Sequence, residues 1–373
     1  MQLQNFLDNK PLYYDEIDYG RMPRIYKKLK EFLPQPKIVH VVGTNGKGTT
    51  GRFLAKALQN IGFKVGHYTS PHILKFNERV WLDGSDVSDE VLDTAHLQLQ
   101  KLLTKDEINS LSYFEYTTFV AMFVFTNCDY VVLEAGLGGE FDATAVFENE
   151  LTLVTKIDKD HEAFLGETIK EIATTKLNAI QKQAILGYQD HSEIYEVAND
   201  FKTFKVQDIV CKEDVEKIAS KLNLATYLKQ NLALAVSALK FLEIDYDENS
   251  FENSKLFGRV TKTSPDVIVD VGHNSLASRA IVGELKNGKY ILVYNSYKDK
   301  DYKKVLEILK PIVLHVEIIE VDDTRIVEEK KLHKVLNDLS IKYKKFEHID
   351  EGEKYLVFGS FSVVEQFLKM QNG

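Results

Sequence analysis

The sequence predicts an α/β protein in two parts, a larger first domain built round an anion-cradling turn and a smaller second domain of the same doubly wound kind. Short apolar runs alternate with segments of helical period along most of the chain. One run, Ile38–Val42, leads into the turn Gly43-Thr44-Asn45-Gly46-Lys47-Gly48-Thr49, which opens a helix carrying Phe53, Leu54, Ala57, Leu58 and Ile61 on one face. The strand–helix alternation then restarts after Phe257-Gly258-Arg259.

Strand, glycine turn and helix form the setting in which a phosphate-binding loop works. Glycines let backbone N–H groups close on an anion, and the helix N-terminus adds positive potential. Lys47 supplies a point charge for outer phosphates, and the Thr49 hydroxyl is placed for a magnesium ion carried with them. The strict P-loop pattern is not met: Val41 stands at its first glycine, and Gly48 separates Lys47 from Thr49. A glycine-rich turn without a ligand is the competing reading.

Composition bounds the rest. A chain of 373 residues can bury two cores, and 44% hydrophobic with 28% charged residues is ordinary for a soluble protein. A net charge of −9 argues against a nucleic-acid surface. With only Cys128 and Cys211 there is no disulfide framework, and MQLQNFLDNK lacks the parts of a secretory signal. No run reaches membrane-spanning length. A cytoplasmic protein without membrane or nucleic-acid partners is expected.

In chain order, residues 1–36 read as helical, with Ile25, Leu29 and Phe32 on one face and Pro34 and Pro36 ending the segment. Phe63–Thr69 is a strand running into Ser70-Pro71-His72, followed by Phe76-Asn77-Glu78-Arg79. Loops at strand C-terminal ends bind ligands in open α/β sheets. Val80–Leu82 is a short strand before an Asp83-Gly84 turn, Asp89–Leu103 a helix, and Ser112–Glu115 opens the apolar helix Tyr116–Thr126. Tyr130–Glu134 is a buried strand delivering a carboxylate beside the phosphates, where it would hold magnesium. A strand-terminal acid facing solvent is its plainer reading. Leu151–Ile157 is a strand leading to Asp158, Asp160, His161 and Glu162; the histidine suits a metal ligand or a partner for an acid. Glu167–Ile180 is a helix bearing Lys176, Ala184–Leu186 a strand and Asn231–Leu242 a helix, while Asp190–Leu222 has no readable pattern. Thr261–Pro265 resembles an interdomain link, giving domains 1–262 and 263–373. Val267–Val271, Tyr290–Tyr294, Val313–Val321 and Leu356–Ser360 are the strands of the second domain. A substrate site between the two domains is the natural expectation.

Several stretches together resemble one family. HVVGTNGKGTT (40–50), YTSPHILKFNERV (68–80), SYFE (112–115), LEAGLGGEFDATA (133–145), DHEAFLG (160–166), FGRV (257–260), DVGHN (270–274), DKD (299–301) and GSF (359–361) follow the order seen in folylpolyglutamate synthase/dihydrofolate synthase, a branch of the Mur ligase superfamily. The resemblance implies an N-terminal P-loop ATPase-like (Mur ligase-type) domain and a smaller C-terminal Rossmann-like α/β domain. It implies an ATP-dependent ligase that joins L-glutamate to dihydropteroate, to a folate, or to both, through an acyl phosphate. The alternative is another Mur-type ligase acting on a cell-wall precursor.

Carried over by position, the resemblance places Gly43, Thr44, Asn45, Gly46, Lys47, Gly48 and Thr49 on the ATP phosphates. Glu134 and His161 are similar to the family's ligands for two magnesium ions, with Thr49 and Ser70 nearby. Lys176 matches a lysine that the family carries as a carbamate, able to hold the second ion; an ordinary surface lysine is the other reading. Thr175 and Leu177-Asn178 depart from the family's pattern around it. Asn231, Arg259, Asp270 and His273 resemble the nucleotide-binding set, although Tyr227-Leu228 replace the family's His-Gln pair. Glu140 and Ala145 replace an arginine and an asparagine. His72, Phe76 and Arg79 are the implied pterin-side contacts, with Phe76 equally readable as a core aromatic. A monomer is expected.

Overall fold

The computed structural model describes residues 2–10 and 18–372. The chain divides into two compact units, Met1–Leu224 with Leu228–Lys255, and Leu256–Gly373 with the short stretch Ala225–Tyr227.

Among the described residues, the first unit holds eight strands: β1 (Lys37–Val42), β2 (Val65–Tyr68), β3 (Val80–Leu82), β4 (Ser85–Asp86), β5 (Tyr130–Glu134), β6 (Leu151–Val154), β7 (Ala184–Leu186) and β8 (Thr203–Lys205). They lie in the order β4-β3-β2-β5-β1-β6-β7-β8. From β2 to β8 the pairing is parallel, and β3 pairs antiparallel with both β2 and β4. Successive β1 residues face opposite sides, as a pleated strand requires. Val39 and Val41 pack with Phe53, Leu54 and Leu58 of the helix Lys47–Ile61, whereas Ile38 packs with Phe119 and Val120 of the helix Tyr113–Val124. Both faces are therefore buried, which is why these strands read as unbroken apolar runs. Each fully buried Val or Leu contributes about 1.5–3 kcal/mol.

The expected helices start where caps allow. Ser112 accepts from the Glu115 N–H, and Thr168 accepts from the Glu171 N–H at the head of the helix Ile169–Leu177. Phe32 differs from expectation. The chain tightens into a 3-10 turn at Lys30–Phe32, which breaks the 3.6-residue period; Phe32 is exposed and Leu33 is buried in its place. The strand expected over Leu151–Ile157 stops at Val154, because the Lys156 carbonyl accepts instead from the N–H groups of Thr44 and Asn45. The unreadable stretch after Asp190 contains β8 and three short helices.

The second unit holds β9 (Thr261–Ser264), β10 (Val267–Asp270), β11 (Tyr290–Tyr294), β12 (Val313–Ile318), β13 (Tyr343–Lys345) and β14 (Tyr355–Phe358), in the order β13-β12-β11-β14-β10-β9. Thr261–Ser264 was expected to be a link. It is an edge strand, antiparallel to β10, and its exposed Lys262, Thr263 and Ser264 give it the look of a linker. Ile268, Leu292 and Leu356 pack against helices contributing Ile281, Leu306 and Leu332.

Gly66 on β2 lies flat against Phe125, and a methyl group there would collide with the ring. Gly66→Ala is expected to destabilise the protein by about 1–3 kcal/mol, and adding Phe125→Leu to recover most of the loss. Urea unfolding of the two variants checks this.

Candidate active site

β2, β5, β1 and β6 run parallel side by side, so the loops after them leave one sheet edge together. Ser70, Gly43 and Asp158 lie on the loops after β2, β1 and β6, and Glu134 is the last residue of β5.

The loop after β1 is held from below and from the side. Thr44 Oγ1 donates to the Asp158 carbonyl at 2.9 Å, and the Thr44 N–H donates to the Lys156 carbonyl at 2.9 Å. Gly46 caps the helix Lys47–Ile61 at φ +93°, a conformation that disfavours any side chain. The Asn231 amide donates to the Gly46 carbonyl at 3.1 Å. Lys47 Nζ folds back onto the carbonyls of Gly43 and Thr44, at 3.2 and 3.3 Å. Thr49 Oγ1 is buried and has no hydrogen-bond partner among the described residues. A hydroxyl in that state at a helix N-terminus suits a cation carried on phosphates, so the chain's own residues fit the nucleotide and metal that the sequence implies.

Glu134 is 5% exposed, so it is not an acid facing solvent. Its Oε2 accepts from Thr69 Oγ1 and from the Ser70 N–H at 3.1 Å, which ties the loop after β2 to the end of β5. Beyond Ser70, the Glu78 carboxylate accepts from the N–H groups of Ile73, Leu74 and Lys75 and fixes the turn. Arg79 Nε donates to His72 Nδ1 at 2.8 Å, and the guanidinium lies over the rings of Phe76 and Tyr113. Burial, helped by the Arg79 charge, pushes His72 down to about 4, so it is a neutral acceptor. Phe76 is a core aromatic, turned inward by the 3-10 turn Phe76–Arg79.

Lys176 is buried, not a surface lysine. Its Nζ donates to the Gly43 carbonyl at 3.0 Å. Burial first, then the Lys47 charge, lower its pKa to about 7, against the opposing pull of Asp160 and Asp142. A substantial fraction of this amine is therefore neutral at physiological pH. His161 heads the short helix Glu162–Leu165 at φ +52°, with its ring 41% exposed and Nε2 at 3.9 Å from Asp160. Among the described residues no three His, Cys, Asp or Glu side chains converge as a cation cage. A magnesium ion that arrives on a nucleotide needs only one or two protein carboxylates.

In the second unit Asp270 is buried at the end of β10, and burial raises its pKa against the Arg259 charge and several hydrogen bonds. Its oxygens accept from the Gly272 N–H at 2.8 Å, the Val260 N–H at 3.0 Å and the Tyr227 hydroxyl at 2.9 Å. Arg259 donates to the Gly258 carbonyl and lies over the Phe361 ring. His273 Nδ1 is 3.2 Å from the Val271 carbonyl, and Asn274 caps the helix Ser275–Leu285. Arg259, Asp270 and His273 thus lie within one unit, while Asn231 belongs to the other.

No family model matches the sequence. Among curated proteins, the dihydrofolate synthase/folylpolyglutamate synthase of Haemophilus influenzae is 30% identical, over 95% of this chain and 94% of its own length. The chain belongs to the dihydrofolate synthase/folylpolyglutamate synthase family. Among solved structures of the family, Helicobacter pylori folylpolyglutamate synthetase is 40% identical with a TM-score of 0.80, covering 99% of this chain and 98% of that one. E. coli FolC in complex with DHPP and ADP is 27% identical with a TM-score of 0.83, covering 100% and 97%. A ligase acting on a cell-wall precursor finds no support in these likenesses.

For this folylpolyglutamate synthase/dihydrofolate synthase relative, the sequence missed Thr69, Glu78 and Tyr113 as parts of the site. Thr69 and Glu78 lie inside the quoted 68–80 stretch and Tyr113 inside SYFE; nothing but their neighbours marked them. It also missed His40, fully buried on β1 with Nε2 at 2.8 Å from Thr144 Oγ1. Burial lowers the His40 pKa from 6.5 to about 4. The unfolded chain therefore takes up a proton before the folded one, and the stability present above pH 6.5 is lost as pH falls toward 4. Between pH 7 and pH 5 this site alone is expected to cost about 2 kcal/mol, and His40→Gln to flatten that slope. Urea unfolding of both proteins at the two pH values checks it.

Proposed function

We propose that this chain is an ATP-dependent acid–amino-acid ligase that adds L-glutamate to dihydropteroate and also to folates. The observation that supports it most is likeness to the family over essentially the whole chain, second unit included, with Lys47, Thr49, Glu134 and Lys176 brought to one sheet edge. Family structures from E. coli and Yersinia pestis are described with ADP and DHPP, and with AMPPNP and a manganese ion.

A carboxylate is a poor electrophile, and an amine offered to it forms only a salt. Transfer of the ATP γ-phosphoryl group to the acceptor's carboxylate oxygen gives an acyl phosphate and ADP. The neutral glutamate amine attacks the acyl carbon, and the tetrahedral intermediate collapses by expelling phosphate as the amide forms and the amine proton leaves. Negative charge develops on phosphoryl oxygens in both steps, so positioned cations and N–H groups supply most of the acceleration. In this reading the N–H groups of the 43–49 loop and Lys47 cradle the phosphates. Thr49, Glu134 and Ser70 would hold a magnesium ion, which when bound neutralises phosphate charge. Arg259, His273 and Asn231 serve the nucleotide, and Asp270 acts through the backbone it organises. Arg79, His72 and Tyr113 serve the pterin side, with Phe76 behind them.

The finer part of the proposal is a second ion, held by His161 and by a carbamate on Lys176. Carbamate formation requires a neutral amine, which the lowered pKa of Lys176 provides. Protein equilibrated with carbon-13 bicarbonate should show one carbamate resonance that Lys176→Arg lacks; its absence at pH 8 would remove the second ligand. The first unit acts as the ATP-binding part and the second as the Rossmann-like part of a cytoplasmic monomer.

With oxygen-18 in the acceptor carboxylate, one labelled oxygen is expected in the released phosphate for each amide formed. Lys47→Ala is expected to lose at least ~100-fold in kcat with dihydropteroate and with tetrahydrofolate alike. Unlabelled phosphate alongside product would refute the acyl phosphate.

A further inference from the structure

A chain of three buried polar side chains runs beneath the site. His40 Nε2 lies 2.8 Å from Thr144 Oγ1, and Thr144 Oγ1 lies 2.6 Å from Asp142 Oδ1. The other oxygen of Asp142 accepts from the Leu137 N–H at 2.9 Å, and Oδ1 also accepts from the Thr144 N–H at 3.0 Å. Burial raises the Asp142 pKa, and the hydrogen bonds it receives from Thr144, Leu137 and Gly136 oppose that rise. As a carboxylate Asp142 can only accept, so the single Thr144 hydroxyl proton then points to it. The Thr144 oxygen is then left to accept, and the donor facing it is His40 Nε2–H. His40 Nδ1, buried and without a partner among the described residues, is the bare nitrogen. With Asp142 ionised, these distances select the Nε2–H tautomer.

What this chain holds in place bears on Lys176. The loop between Leu137 and Thr144 rests on the Lys176 helix. The Glu140 N–H donates to the Thr175 carbonyl at 2.9 Å, and a Cβ on Gly139 would come within 2.7 Å of the Lys176 carbonyl oxygen. The Asp142 charge acts on the Lys176 amine. On β1, His40 stands three residues before Gly43, whose carbonyl receives that amine. One strand thus supplies both the partner of Lys176 and the anchor of the loop beside it.

We propose that His40 is a positioning residue for the ligase reaction: as the neutral Nε2–H tautomer it fixes, through Thr144, the Asp142 carboxylate and the loop that walls Lys176. The inference rests on the reading of the site given above. It separates His40 from the nucleotide, since among the described residues the side chains of His40 and Thr144 bond each other and Asp142 and not the side chains of the 43–49 loop. The effect therefore falls on turnover and not on ATP binding.

The test measures kcat and the KM for ATP with dihydropteroate and glutamate. His40→Leu and Thr144→Val are expected to lower kcat roughly 10- to 100-fold, with KM for ATP within about twofold of the native value. His40→Gln, whose amide N–H reaches the Nε2 position, should restore kcat to within about fivefold of native, and His40→Asn, whose amide sits nearer Nδ1, should not. The double variant His40→Leu with Thr144→Val should be no slower than the slower single one, because both break one chain. A folded His40→Leu protein with native kcat, equal rescue by Asn and Gln, or additive losses in the double variant would overturn the proposal. Nitrogen-15 NMR of the native protein, with His40 assigned by its loss in His40→Gln, should show a neutral ring protonated at Nε2. A proton on Nδ1 would overturn it as well. That measurement needs no turnover, so a wrong acceptor assignment would appear as missing product beside an intact Nε2–H signal.

Discussion

The bond from Lys176 Nζ to the Gly43 carbonyl is the constraint on which the first unit's site depends. It places an ammonium group, stripped of water, against the turn that Lys47 also bridges. Two cations close to one turn repel, and burial adds to the penalty on the charged form. The amine answers by losing much of its affinity for the proton. A residue that would be inert on the surface becomes chemically versatile because the helix Ile169–Leu177 presses it into the sheet edge, and Thr168 with Glu171 fixes where that helix begins.

Much of this was legible in the sequence, for identifiable reasons. Buried parallel strands carry apolar residues on both faces, so β1, β5, β7 and β11 stood out against their surroundings. The glycine turn was legible because the backbone leaves few other residues for positions such as Gly46. Glu134 and Lys176 could be picked out as candidates but not placed: Lys176 shares a helix face with Ile172, Ala173 and Leu177, yet a lysine there reads equally as one that reaches out to solvent. Elements whose stability comes from neighbours were the ones lost. β13 pairs along β12 but shows exposed Lys344 and Lys345, and β9 is an edge strand of polar residues. Phe32 was misread because one 3-10 turn rotates everything after it.

The same contrast holds for polar networks. Thr69 bonding to Glu134, and His40 to Thr144, join residues 65 and 104 positions apart. Each is a threonine or histidine that local pattern assigns to a strand or a loop. Their roles arise only when the parallel sheet brings β1, β2 and β5 into register, with Val41 beside Glu134 and His67 beside Val132. Sequence pattern therefore shows where the chemistry gathers, and the fold shows what keeps it there.

Val260 stands at φ +46°, a region that β-branched residues avoid. Such a backbone costs about 1–3 kcal/mol, and the Asp270 carboxylate that receives its N–H opposes that cost. The neighbouring Arg259 is consequently aimed by a wound segment, and loosening one buried acid would let that segment unwind and carry the arginine away. Control over where the Arg259 guanidinium points rests here with a carboxylate buried at the end of β10. Inherited changes at Asp270 would therefore act on Arg259 through the main chain between them.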